Sequence, residues 1–174
     1  MSAARSKEPK HPKSCHERAL GLLAVRARSR RELERRLLQA GFGSEEVEDV
    51  LGRLGRVGLV DDEAFARQLA EHAFRVKRSG RRAVSSALAS KGVAAELIER
   101  VIEASAGDDD LRAEALARTK ASRMGSVEPA KAFPRLTALL VRRGYSPDVA
   151  RQAARRALSV DADDPTLASG FPRP

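Results

Sequence analysis

A glycine recurs along this chain at nearly constant distance, and its neighbours recur with it. The segments "RRELERRLLQAGFGSEEVEDVL", "RRAVSSALASKGVAAELIERVI" and "FPRLTALLVRRGYSPDVARQAA" align on Gly41, Gly92 and Gly144. Eight residues before each glycine stands Leu33, Val84 or Leu136, four before it Leu37, Leu88 or Leu140, and directly after it Phe42, Val93 or Tyr145. A glycine just past a helix adopts the left-handed backbone that closes the last turn, and the residue after it packs on the one four positions before the glycine. Each glycine therefore predicts a helix stop and a sharp turn into a second helix. A chain that repeats this pattern folds as tandem helical units.

The flanking residues fit that plan. Ser29 with Glu32 reads as a capping box for the helix that ends at Gly41, and Ser44 and the Ser146-Pro147 pair read as caps of the helices that follow. A further helical stretch precedes each pair, over about residues 14 to 27, 62 to 77 and 109 to 124. In the middle one Phe65, Leu69, His72 and Val76 fall on one helical face. The expected fold is all-α, with three tandem three-helix repeats in an elongated, curved array, because a unit of about 50 residues buries too little core to stand alone. Aromatics at 3% with no Trp, beside abundant Ala, Leu, Arg and Glu, favour helices packed through small and aliphatic side chains over a β-sandwich or barrel. The expected boundaries are a flexible tail over 1–13, repeats over 14–58, 59–107 and 108–160, and a second flexible tail over 161–174. The third repeat reads as the thinnest. Ala150, Ala153 and Ala154 stand where the others have Val47, Val50 and Leu51 or Ile98, Val101 and Ile102, so stability is expected to decline towards the C-terminus.

Two acidic clusters raise the possibility of phosphate chemistry on a metal. Asp61 and Asp62 precede the middle repeat's first helix, and "GDDDL", with Asp108 to Asp110, precedes the third repeat's. Both occupy helix starts, where a carboxylate caps free N–H groups and favours the positive end of the helix dipole, contributing about 0.5 to 2 kcal/mol. A metal site needs further converging ligands, and no HExxH, Walker lysine or EF-hand spacing supplies them. His11, His16 and His72 have no ligand spacing, and GxSxG is absent. Cys15 is the single cysteine, which rules out an intrachain disulfide and a cysteine-rich zinc site. The expectation is a protein without catalytic residues, metal or cofactor. The polar opening "MSAARSKEPKHPKS" and the lack of an apolar run of roughly 18 residues lead to an expected cytoplasmic location with no membrane partner.

Charge points to a partner. There are 33 Lys and Arg against 24 Asp and Glu, a net charge of +9, which points towards a polyanion, a membrane surface or an acidic protein partner, nucleic acid being the commonest. From His72 to Ala95 stand Arg75, Lys77, Arg78, Arg81, Arg82 and Lys91 without one acid. Arg30 and Arg31 hold the equivalent places in the first repeat, thickened by Arg26, Arg28, Arg35 and Arg36 but interleaved with Glu32 and Glu34. Arg142 and Arg143, with Arg151, Arg155 and Arg156, give the third repeat its own patch. If the repeats are related by a regular rotation, the three patches line one surface. The outline of each glycine-centred helix pair is also that of a helix-turn-helix, which would make the chain a sequence-specific transcriptional regulator. Against that, the helices after the glycines, "SEEVEDVLGRL" and "AELIERVIEA", are net acidic, so the helices before the glycines are the better contact candidates.

"GLVDDEAFARQLAEH", followed by "RSGRRAVSSALASKG", resembles the signature of the RecX regulatory proteins: a Gly-hydrophobic-hydrophobic-Asp-Asp-x-x-Phe-Ala stretch ahead of a basic helix ending in Lys-Gly. The resemblance extends over about residues 14 to 158 and is sharpest in the middle repeat. It implies tandem three-helix repeats, no enzymatic activity, and modulation of the RecA recombinase. It further implies binding in the groove of the RecA filament on DNA, inhibition of ATP hydrolysis and strand exchange, and weaker binding to single- and double-stranded DNA without sequence preference. The chain is expected to act as a monomer. On this resemblance Asp61, Asp62, Phe65 and Ala66 are structural signature positions, and Arg81, Arg82 and Lys91 lie on the contact helix. The first repeat is more basic, and the third richer in Ala, than the family pattern.

Overall fold

The computed structural model describes residues 13–124 and 127–158; the two expected tails fall almost wholly outside them. Among the described residues there are nine helices: α1 (Cys15–Val25), α2 (Arg30–Gln39), α3 (Ser44–Arg56), α4 (Asp62–Arg75), α5 (Arg81–Ser90), α6 (Ala95–Ser105), α7 (Asp109–Ala121), α8 (Pro129–Arg142) and α9 (Pro147–Leu158). None of the described residues forms a strand. The chain divides into two compact units, with the boundary between Phe65 and Ala66.

The three aligned glycines end their helices in one way. Gly41, Gly92 and Gly144 have φ of 93°, 75° and 90°. The next residue's N–H reaches back to the helix: Phe42 to Leu37 O at 3.3 Å, Val93 to Leu88 O at 3.3 Å, and Tyr145 to Leu140 O at 3.2 Å. The glycine N–H bonds at 3.0, 2.8 and 2.9 Å to Leu38 O, Ala89 O and Val141 O. This paired pattern satisfies the last carbonyls and brings the residue after the glycine onto the leucine four before it. Phe42 duly packs on the cluster that contains Leu37, and Tyr145 joins the one that contains Leu140.

In the first unit Cys15 and Ala19 of α1, Leu33 and Leu37 of α2, and Val47, Val50, Leu51 and Leu54 of α3 form one core with Val60. Each fully buried leucine there contributes about 2 to 3 kcal/mol of transfer free energy. Burial also pushes the Cys15 thiol up from its ordinary pKa, with Glu46 adding to the effect, so the thiol is held in its unreactive protonated form. In the second unit Ala113, Leu116 and Ala117 of α7, Phe133, Leu136 and Leu140 of α8, and Ala150, Ala153 and Ala154 of α9 pack around Tyr145. The alanines expected to thin this region are buried in one cluster with the large side chains of Phe133 and Tyr145.

Two local expectations are corrected. Ser44 is the first residue of α3, and the cap position belongs to Gly43, which has no side chain to offer. The buried face of α4 is Phe65, Ala66, Ala70, Ala73 and Phe74, while His72 and Val76 are exposed. Small alanines, weak in any hydropathy pattern, carry that face, and Val76 lies beyond the helix end. Ser146 does cap α9, accepting from Val149 N–H at 3.2 Å, with Pro147 in the first helical position. A capping box that the sequence reading passed over closes α1: Glu17 N–H donates to Ser14 Oγ, and Ser14 N–H to Glu17 Oε2 at 2.8 Å. Those bonds hold the Glu17 carboxyl below its usual pKa.

Candidate nucleic-acid interface

The neighbouring aspartates divide two tasks between them. Asp61 caps its own helix, its Oδ1 accepting from Glu63 and Ala64 N–H at 2.9 Å each. Asp62 instead turns to the start of α2 and accepts from Arg30 N–H at 2.7 Å. The second cluster repeats this division. Asp108 accepts from Asp110 and Leu111 N–H at 2.8 and 3.1 Å, whereas Asp109 Oδ2 accepts from Arg81 N–H, at the start of α5, at 3.3 Å. Capping therefore holds for Asp61 and Asp108, and is corrected for Asp62, which caps the basic helix α2 in place of its own. Among the described residues no three His, Cys, Asp or Glu side chains converge as metal ligands.

The start of α5 is completed by a second neighbour. Gly80 N–H donates to Arg143 O at 2.8 Å and Arg82 N–H to Gly144 O at 3.1 Å, so the first donors of α5 meet the last acceptors of α8. Opposed helix ends satisfy each other's orphan groups and their dipoles attract. The approach is close: a Cβ added at Gly80 would lie 2.4 Å from Gly144 C, and one at Gly144 would lie 2.3 Å from Ala83 N. Arg143 Nη1 donates to Lys77 O at 2.9 Å, and Tyr145 OH to Arg78 O at 2.8 Å. Those bonds fix the loop in which Arg78 adopts φ 50°, unusual for a residue with a side chain.

This junction gathers basic residues that are far apart in sequence. Lys77, Arg78, Arg81, Arg82, Arg142 and Arg143 are all exposed there. Arg78 Nη1 reaches Thr119 Oγ1 at 3.2 Å, and Arg81 Nη2 reaches Gly107 O at 3.4 Å; both partners are neutral, so the positive charge is oriented and not cancelled. Asp109 bonds Arg112, whose guanidinium lies 4.7 Å from the centre of the Phe74 ring, and Glu99 and Glu103 of α6 line a surface pocket together with Arg81. Two further members of the predicted set on this unit differ from these six. Lys91 follows the far end of α5, about 15 Å away at 1.5 Å per residue. Arg75 pairs with Glu71 at 3.6 Å.

The first unit spends more of its positive charge internally. Arg26, Arg28 and Arg36 converge on Glu32 Oε1, and Arg28 is buried with its Nε on Leu22 O at 3.1 Å. Ser29 Oγ accepts from Glu32 N–H at 3.1 Å, one half of the expected capping box, while Glu32 Oε1 faces the arginines. Arg30 pairs with Glu48 at 2.7 Å and Arg31 with Glu34 at 3.0 Å. Of the two basic pairs related by the repeat, Arg81 and Arg82 are the less compensated.

Tyr145 joins the site to the core. It is fully buried, its hydroxyl is spent on the Arg78 carbonyl, and burial, despite the nearby Arg112, raises its pKa above the ordinary phenol value of 10. A raised phenol stabilises the fold fully below the unfolded pKa, and that contribution is lost as pH rises through 10 towards the folded value. Tyr145→Phe is expected to cost about 1 kcal/mol at pH 7. It should also flatten the fall of stability above pH 10, measured by denaturant melts at pH 7 and pH 11.

The chain's matches to known proteins cover both the units and the junction. Models described as RecX, first three-helix domain, and RecX, second three-helix domain, match residues 15–54 and 61–102. A regulatory protein RecX from Mycobacterium sp. (strain JLS) is 39% identical over 148 residues, covering 82% of this chain and 81% of that protein. Another from Mycobacterium ulcerans (strain Agy99) is 36% identical over 158 residues, covering 90% and 91%. Among solved structures, RecX from Lactobacillus salivarius matches with a TM-score of 0.71 at 17% identity, over 82% of this chain and 94% of that one.

Proposed function

The chain belongs to the RecX family of regulatory proteins, and from that premise we propose that it binds the RecA recombinase filament on DNA and inhibits its ATPase and strand exchange. The observation that carries this reading is the α5–α8 junction, a backbone-bonded frame on which six exposed Lys and Arg residues stand. A filament on DNA offers phosphates and acidic side chains at regular intervals, and a fixed basic surface suits such a partner. Direct binding to single- or double-stranded DNA is then weak, indifferent to sequence and steeply salt-dependent, since Lys and Arg contacts release counterions from phosphates. The protein acts as a monomer in the cytoplasm, modulating recombination and repair without chemistry of its own.

The competing reading, a helix-turn-helix regulator of transcription, places α3 or α6 in a major groove. Those helices expose Glu45, Glu46, Glu48 and Asp49, or Glu96, Glu99 and Glu103, and would carry acid into a phosphate-lined channel. The deciding experiment is the ATPase of a RecA recombinase on single-stranded DNA, titrated with this protein. Inhibition below one molecule per recombinase protomer is expected, because linked units convert later contacts into intramolecular ones. Unchanged ATPase at stoichiometric excess, together with a sequence-specific footprint on naked duplex, would replace the filament reading with the transcriptional one.

A further inference from the structure

We infer that Asp109 is a positioning residue for the basic face of α5: from α7, its carboxylate holds the helix start that carries Arg81 and Arg82. The inference rests on the proposed role of that face and deepens it by assigning what orients it. The first turn of any helix has N–H groups without an internal partner, and a Ser, Thr, Asp or Asn at the cap position normally takes one. Gly80 occupies that position in α5 and makes no side-chain cap; a side chain there would collide with Gly144. The donors go instead to neighbours. Gly80 and Arg82 N–H take carbonyls at the end of α8, and Arg81 N–H, between them, takes Asp109 Oδ2.

Asp109 is itself held in place. Its side chain is only 17% exposed, its other oxygen binds Arg112, and Arg112 lies over Phe74. The first unit contains the same device independently. Asp62 follows the cap residue Asp61 as Asp109 follows Asp108, and it holds Arg30 N–H, the position aligned with Arg81. In both places the arginine whose amide is held opens a basic pair, Arg30-Arg31 or Arg81-Arg82.

Positioning and plain electrostatics predict opposite signs. Removing the Asp109 carboxylate raises the net charge by one, and attraction to a polyanion alone would then tighten binding. Loss of orientation weakens it. The test uses the full chain and its Asp109→Ala, Asp109→Asn, Asp110→Ala and Arg81→Glu/Arg82→Glu variants. Each is assayed for binding to a labelled single-stranded oligonucleotide and for inhibition of RecA ATPase, well below its own melting temperature. Asp109→Ala is expected to weaken both by roughly 5- to 10-fold. Asp109→Asn should recover most of the loss, because its amide oxygen still accepts the Arg81 N–H. Asp110→Ala removes an equal charge from an exposed neighbour and should bind as tightly as the parent, or more so. Tightening by Asp109→Ala to the level of Asp110→Ala, or a failure of asparagine to rescue, overturns the inference while leaving the contact surface intact. Unchanged binding and inhibition by Arg81→Glu/Arg82→Glu overturns the reading of α5 as the contact helix, and this inference with it.

Discussion

Gly144→Ala is expected to lower the melting midpoint of the Ala66-onward unit by roughly 15 °C or more, whereas Gly41→Ala should cost the first unit less, roughly 4 to 16 °C. Both glycines end a helix at φ near 90°, so both substitutions incur the left-handed penalty of about 1 to 2 kcal/mol. The difference lies in what surrounds them. A Cβ at Gly41 meets nothing within 4 Å, while one at Gly144 meets Ala83 N at 2.3 Å and Ala83 Cβ at 2.4 Å. Backbone cannot swing aside as a long side chain can. Relief of the clash must part α5 from α8 and strand the Gly80 and Arg82 donors, each at about 1 to 3 kcal/mol if left unpaired. The total, about 4 kcal/mol or more, is a large share of the roughly 5 to 15 kcal/mol that holds a domain together. Separate thermal melts of the two variants, followed by circular dichroism, check this; equal shifts would mean that φ alone governs both sites.

That contrast also marks where sequence reasoning reaches and where it stops. The three glycines were legible because a helix stop is a local device: its leucine, glycine and following apolar residue lie within six positions and repeat three times. The same holds for Asp61, Asp108 and Ser146, whose bonds stay within one turn of their own helices. Asp62 and Asp109 were misjudged because nothing local separates them from the aspartate beside them. Their partners are 32 and 28 residues away, and only the folded chain shows which carboxylate turns outward. The close approach of Gly80 and Gly144 was invisible for a related reason: glycine at a helix start reads as a weak cap, and the physical requirement comes from another helix. A signal did exist. Gly80 stands where the first repeat has the capping Ser29, and a lost cap in an otherwise parallel repeat asks where the replacement donor partners are. The basic patches on the second and third repeats were read from charge, and the sequence left their meeting conditional on a rotation. The junction brings Arg142 and Arg143 to the start of α5.

The same junction sets the largest functional effect. Arg81→Glu with Arg82→Glu changes the net charge from +9 to +5, and does so at the junction that also carries the exposed Lys77, Arg78, Arg142 and Arg143. Each lost phosphate or carboxylate contact is expected to weaken binding by about 1 kcal/mol, and the introduced glutamates repel the same partner groups, so the double variant should inhibit RecA ATPase on the order of 100-fold less well. Arg35→Glu with Arg36→Glu makes an identical change in net charge in the first unit. There Arg36 already faces the buried Glu32, beside Arg26 and Arg28, so the loss falls largely on internal pairing and the fold. Inhibition by that variant should drop by less than about 10-fold at a temperature where it remains folded. On naked single-stranded DNA the α5 variant should also flatten the salt dependence, its logarithmic slope falling by about 1.4 if two contacts vanish. A paired titration at 50 and 200 mM salt reads both quantities. Equal losses from the two double variants would mean that net charge, and not the geometry of the α5–α8 junction, governs the interaction.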